Sequence, residues 1–108
     1  MLGNSMAFFI KQNDTSPALK ATLKDGLDVA VDLSSSSVRF HMRKIGDETA
    51  KVDGVAVIED ADNGVVYYSW NAADTDTIGS YEAEFEVTFT GGEIETFPNN
   101  RYIEVEIT

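Results

Sequence analysis

The chain has 108 residues, room for one ordinary domain and too few for two. Eight Lys+Arg against nineteen Asp+Glu leave a formal net charge of −11, which argues against phosphate backbones and anionic membranes as partners. With no cysteine, disulfides, thiolate zinc sites and thiol catalysis are excluded, and no apolar run approaches the ~20 residues that cross a bilayer.

Residues 1–6 carry neither a basic region nor a long apolar stretch, so they read as a flexible segment rather than a signal peptide. Residues 7–108 read as one domain. Its hydrophobic period is two nearly throughout, the signature of half-buried strands. Ala7–Gln12 opens the fold as a strand, and Ala18–Lys24 places Leu19, Ala21 and Leu23 on one side. Asp25-Gly26 marks a turn, Val29–Leu33 a short strand, and the serine run Ser34–Ser37 a bend. Val38, Phe40 and Met42 then alternate with Arg39, His41 and Arg43. A turn at Lys44–Glu48 follows. Strands Val55–Glu59 and Val65–Trp70 flank Asp60-Ala61-Asp62-Asn63-Gly64, where Asn-Gly is a tight-turn signal. Asn71–Thr77 suits one helical turn, with Asp74 and Thr75 as capping types. Tyr81, Ala83, Phe85, Val87 and Phe89 alternate with Glu82, Glu84, Glu86, Thr88 and Thr90 in the clearest strand of the chain. Gly91-Gly92 suggests a hairpin into Ile94. Ile103, Val105 and Ile107 alternate with Glu104 and Glu106 in the last strand. Seven to nine short strands at this spacing predict an all-β, immunoglobulin-like antiparallel sandwich.

Chemistry-bearing residues are sparse. His41 is the only histidine, and nucleophile activation needs a hydroxyl and an orienting carboxylate held against it. Its flanking arginines make it part of a polar strand face. Asp60, Asp62 and Asn63 resemble the opening of a calcium loop, but the apolar Val65–Trp70 stands where the distal glutamate should be. Asp74 and Asp76 could in principle form a glycosidase pair, although their spacing equally suits capping and turns. No catalytic residue, cofactor site or resident metal is therefore assigned. Trp70 and Tyr68 share one side of their strand and Tyr67 the other. Trp70 is expected in the core, and a sugar-stacking platform is the alternative. The stripe Glu82/Glu84/Glu86 is expected to face the cationic positions Arg39 and Arg43 across neighbouring strands. If it does not, it becomes a docking face for a basic partner.

Several blocks resemble tailed-phage proteins, specifically the N-terminal domain of the phage baseplate upper protein family. They are Phe8–Thr15 with Pro17, Leu19 and Ala21-Thr22-Leu23, then Val31-Asp32-Leu33 with Val38–Arg43. Val65–Trp70 with Asp74–Thr77, Gly79 and Tyr81–Val87 follows, and Glu95–Asn99 with Tyr102–Val105 completes the set. Met6 matches the natural start of that pattern. The resemblance implies an immunoglobulin-like sandwich serving as a non-enzymatic virion component of the tail or baseplate. The partners it implies are other virion proteins, with copies in a homo-oligomer or ring on a particle made in the host cytoplasm. The chain stops at Thr108 without the trimerising helix or host-binding domain of longer members. A head or neck completion protein and a carbohydrate- or host-surface-binding module are the alternatives. The expected contact surface comprises Glu82, Glu84, Glu86, Arg39, Arg43, Tyr102, Glu104 and Glu106. Strand Tyr102–Thr108 is expected to be a free edge open to strand addition.

Overall fold

Alternation by two commits every second side chain to one layer, and the backbone follows it. A computed structural model describes residues 7–108; the expectations for residues 1–6, including Met6 as a start, lie outside the described residues. Those described form β1 (Phe8–Ile10), β2 (Leu19–Thr22), β3 (Ser37–Lys44), β4 (Val52–Val55), β5 (Val57–Asp60), β6 (Val65–Tyr68), β7 (Gly79–Thr88), β8 (Ile94–Phe97) and β9 (Ile103–Ile107). A single 3-10 turn spans Ala72–Thr75, within the stretch expected to hold one.

The strands form two sheets. The larger runs β1-β9-β7-β3-β4, and β8 also pairs with β7; the smaller runs β2-β6-β5. β3 lies against β7 from Ser37↔Thr88 to Lys44↔Tyr81. β9 and β8 must therefore share the other flank of β7, one along Gly79–Ala83 and the other along Phe85–Thr88. The order β2-β6-β5 is the B-E-D sheet of an immunoglobulin-like sandwich, and β9-β7-β3-β4 is its G-F-C-C′ sheet. Tyr81, near the start of β7, donates its hydroxyl to the Thr77 carbonyl at 2.6 Å. That is the tyrosine corner of the same architecture, built here without the inter-sheet disulfide.

Tyr81, Ala83, Phe85 and Val87 point inward from β7, opposite Val38, Phe40 and Met42 of β3. Phe40 holds the centre. Its ring stacks on Tyr68 at 4.5 Å and meets Trp70 edge-on at 5.5 Å and Phe85 at 5.2 Å. Gly54 on β4 admits the Tyr68 ring, since a Cβ there would stand 3.0 Å from it. At Gly64 the turn between β5 and β6 has φ +68°, and a Cβ would meet the Leu23 carbonyl at 2.7 Å. The Asn-Gly signal thus marks both a left-handed backbone and a close approach.

Three expectations need correction. Val29–Leu33 is not a strand but makes one bridge, Lys24↔Ala30. The Asp25 carboxylate accepts from the amides of Leu27 and Val29, and Asp32 accepts from Ser34. Side-chain oxygens thus compete with a ladder for these donors. Val55–Glu59 divides between two strands at Ala56, whose amide donates to Val38 while the chain passes from one sheet to the other. Lastly, Tyr102–Thr108 is not a free edge. β9 lies between β7 and β1, which adds to it in parallel. Thr108 N donates to Ile10 O and Gln12 N to Thr108 O, both at 2.9 Å, closing the terminal strand into the sheet.

Candidate functional site

The outer face of the large sheet gathers seven of the eight residues expected to form a contact surface. Tyr102 sits beside it at the entry to β9. Strand register arranges the others in rows across the face. One row runs Glu104, Glu82, Arg43; the next Glu84, His41, Asp53; the third Thr96, Glu86, Arg39, Val55. The cations of β3 do lie opposite the glutamate stripe of β7, as the shared period suggested.

The pairing is uneven. Arg43 Nε reaches Glu82 Oε1 at 3.3 Å, while its Nη2 donates to the Tyr102 hydroxyl at 3.3 Å. Its guanidinium also stands 5.5 Å from the centre of the Tyr102 ring, a cation–π distance. His41 bridges two carboxylates, with Nε2 at 3.1 Å from Asp53 Oδ1 and Nδ1 at 4.0 Å from Glu84 Oε2. Arg39 faces Glu86 in register but turns the other way, donating Nε to Asp53 Oδ1 at 2.9 Å and Nη2 to the Asp53 carbonyl at 3.1 Å. The hydrogen bond from Arg39, with smaller help from His41, holds the Asp53 carboxyl below its ordinary pKa. Asp53 thereby neutralises the β3–β4 half of the face. Sequence reading missed it because Asp53-Gly54 is poor strand material. The alternation of Val52 and Gly54 inward with Asp53 and Val55 outward was the available signal.

Among the described residues the β9–β1 half has less cover, Arg43 on Glu82 being its one cation. Glu104 stands directly opposite Glu82, like charges that destabilise a ladder when nothing intervenes. Glu106 accepts only the Ser80 hydroxyl, at 2.7 Å, among the described residues. Beside Glu106 comes Phe9 of β1, 66% exposed. Its strand was read correctly, but its outward direction followed only once the neighbours Phe8 and Ile10 packed inward. Half the face is internally paired. In the other half Glu104 and Glu106 make no ion pair among the described residues and lie next to an exposed phenyl ring.

The remaining candidates are spread over the molecule. In the turn, Asn63 donates to Asp60 at 2.9 Å, and no group of three acidic or histidine side chains among the described residues is arranged to hold a metal ion. Asp74 accepts the Tyr68 hydroxyl at 2.7 Å and the Asn71 amide at 2.8 Å; burial, together with that bond, pushes the Tyr68 pKa up. Asp76 pairs with Lys51 and accepts from Thr77. The two carboxylates are committed to different local structures and frame no common substrate position. Trp70 is 4% exposed and Tyr68 is buried, while Tyr67 is half-buried on the outer face of the small sheet. The sugar platform is overturned for Trp70 and Tyr68, which fill the core around Phe40. His41 contacts carboxylates, and among the described residues no side-chain hydroxyl is hydrogen-bonded to it.

Comparison with known families supplies what geometry alone does not. The family described as "BppU N-terminal domain" matches residues 4–100. The chain belongs to the BppU N-terminal domain family. It is therefore a phage baseplate-related structural protein, and membership implies a location in the virion tail. The match spans β1 to β8 and leaves β9, with Glu104 and Glu106, beyond it. The family is a phage structural baseplate domain and not a known enzyme class. No curated protein matches the sequence.

Proposed function

We propose that this BppU-type domain is a non-enzymatic docking module of a tailed-phage or prophage tail, made in the host cytoplasm and assembled into the baseplate. Its partners are other virion proteins, present with multiple copies of this chain in a homo-oligomer or ring. The observation that carries the reading is Glu104, which stands opposite Glu82 with no ion pair of its own among the described residues, beside Glu106 and the exposed Phe9. A neighbour bringing lysine or arginine to these carboxylates, with an apolar patch for Phe9, would relieve a repulsion that the free domain bears. Charge of this kind favours fast, selective encounter, and repetition around a symmetric particle adds weak contacts through effective concentration.

The test is immunogold electron microscopy and mass spectrometry on purified particles, with wild type and Glu104→Lys/Glu106→Lys compared. Label at the tail tip, lost for the folded double variant, is the expected outcome. Label at the head or neck would discard the baseplate position. Normal incorporation of the double variant would discard the acidic flank as the contact.

A further inference from the structure

Asn63-Gly64 sits in the turn between β5 and β6 and is the only Asn-Gly pair in the chain. The pair suits a tight turn, and it also suits a reaction. An asparagine side chain can be attacked at Cγ by the backbone nitrogen of the residue that follows. Glycine, with no Cβ, leaves that nitrogen open on the side from which the carboxamide approaches. Electrophile and nucleophile are therefore adjacent by sequence alone, and the fold decides whether they meet.

In the folded chain each is fastened elsewhere. Asn63 is exposed, and its Nδ2 donates to Asp60 Oδ2 at 2.9 Å. Gly64 is buried at φ +68°, packed so closely that a Cβ there would stand 2.7 Å from the Leu23 carbonyl oxygen and 2.9 Å from that of Val31. Its own carbonyl accepts the Leu23 amide at 2.8 Å, and its nitrogen donates to the Ala61 carbonyl at 3.4 Å. Closing a ring from Gly64 N to Asn63 Cγ requires the carboxamide to leave Asp60 and the Gly64 nitrogen to turn from Ala61. Both motions open the turn, a local event with its own free energy.

We propose that Asn63 is a deamidation site gated by the fold, slow in the closed turn and fast once the turn opens. The bond from Gly64 N to Asn63 Cγ forms and the Cγ–Nδ2 bond breaks, with ammonia carrying off the proton of the Gly64 amide. Water then opens the imide at one of its two carbonyls, leaving aspartate or isoaspartate at position 63. Either product replaces the donor to Asp60 by a carboxylate, so an attraction within the turn becomes a repulsion. Isoaspartate also adds a methylene to the backbone directly before Gly64, where the Leu23 and Val31 carbonyls leave no room. That displaces Val65 from its partners Thr22 and Asp60. The lost amide is not regenerated, so a converted chain does not recover the original turn.

The experiment incubates the full chain in mildly alkaline buffer, folded and in denaturant, and follows conversion by mass spectrometry of its proteolytic peptides. Each conversion adds about one dalton, and an isoaspartyl methyltransferase reads the isoaspartate fraction. In denaturant Asn63 should convert before every other asparagine. In the folded chain it should convert at least about tenfold more slowly, since reaction through an opened state follows the population of that state. Asp60→Ala frees the carboxamide and should raise the folded rate while leaving the denatured rate unchanged. Asp62→Ala, which removes a neighbouring carboxylate without that bond, should leave both rates unchanged. Circular dichroism checks that both variants fold. Converted chains should refold with a lower melting temperature. Equal rates in the folded and denatured chain, first conversion at another asparagine, an Asp60→Ala rate like wild type, or a converted chain as stable as its parent would each overturn the proposal. None of these results bears on particle labelling, which tests the tail role separately.

Discussion

Replacing Glu104 by lysine should make the free domain more stable. Glu104 and Glu82 are directly opposed across β9 and β7, a geometry that puts the carboxylates on the order of 6 Å apart. Coulomb repulsion at that separation is about 0.7 kcal/mol in water, and screening at physiological ionic strength halves it to roughly 0.3 kcal/mol. Lysine removes the repulsion and substitutes an attraction of similar size, for a net gain of about 0.5–1 kcal/mol at low salt. For a chain of this length the melting temperature should rise by about 2–4 °C. Arg43 already bonds Glu82, so the upper end requires lysine to share that carboxylate without displacing the arginine. Thermal unfolding at low ionic strength and again near 1 M salt reads the effect, and the gain should nearly vanish in the second condition. An unchanged or lowered melting temperature at low salt would refute the claim that this flank carries unrelieved repulsion. The docking argument would lose its basis with it.

Tyr81→Phe keeps the buried ring but removes the donor to the Thr77 carbonyl; denaturant titration should show a loss of about 1–2 kcal/mol at unchanged m-value. Gly64→Ala forces a Cβ toward the Leu23 and Val31 carbonyls at positive φ, so it should cost more than the ~1–2 kcal/mol of the left-handed conformation alone, read from the same titration. Asp53 has a folded pKa below its unfolded value, so its contribution is full above about pH 4 and is lost as pH falls through the folded pKa. Acid titration of Asp53→Asn should accordingly show a shallower loss of stability below pH 4 than wild type. For Tyr68 the folded pKa is raised by burial and by the bond to Asp74. Its contribution is intact below about pH 10 and declines as pH rises toward the folded value, and alkaline unfolding of Tyr68→Phe should lack that decline.

The sequence by itself determined the class of fold and the sides of its strands. Tyr81 to Val87 and Ile103 to Ile107 alternate so strictly that only one assignment of inner and outer face buries the apolar set. The same rule put Arg39, His41 and Arg43 on a polar face, and the Asn-Gly turn fixed where β5 gives way to β6. Trp70 was legible as core for that reason. What alternation cannot carry is the identity of a strand's neighbours, because the period is the same whichever strand lies alongside. The terminal strand therefore looked like an edge until Phe8–Ile10 added to it in parallel, and Val55–Glu59 looked continuous until Ala56 carried the chain between sheets. The outer face of the large sheet shows the same division. Most of its residues were readable, but Asp53 was not, and Arg39 turning from Glu86 to Asp53, and Glu104 standing opposite a Glu82 whose cation is Arg43, depend on contacts between strands far apart in sequence. Only tertiary register decides which charges cancel and which do not.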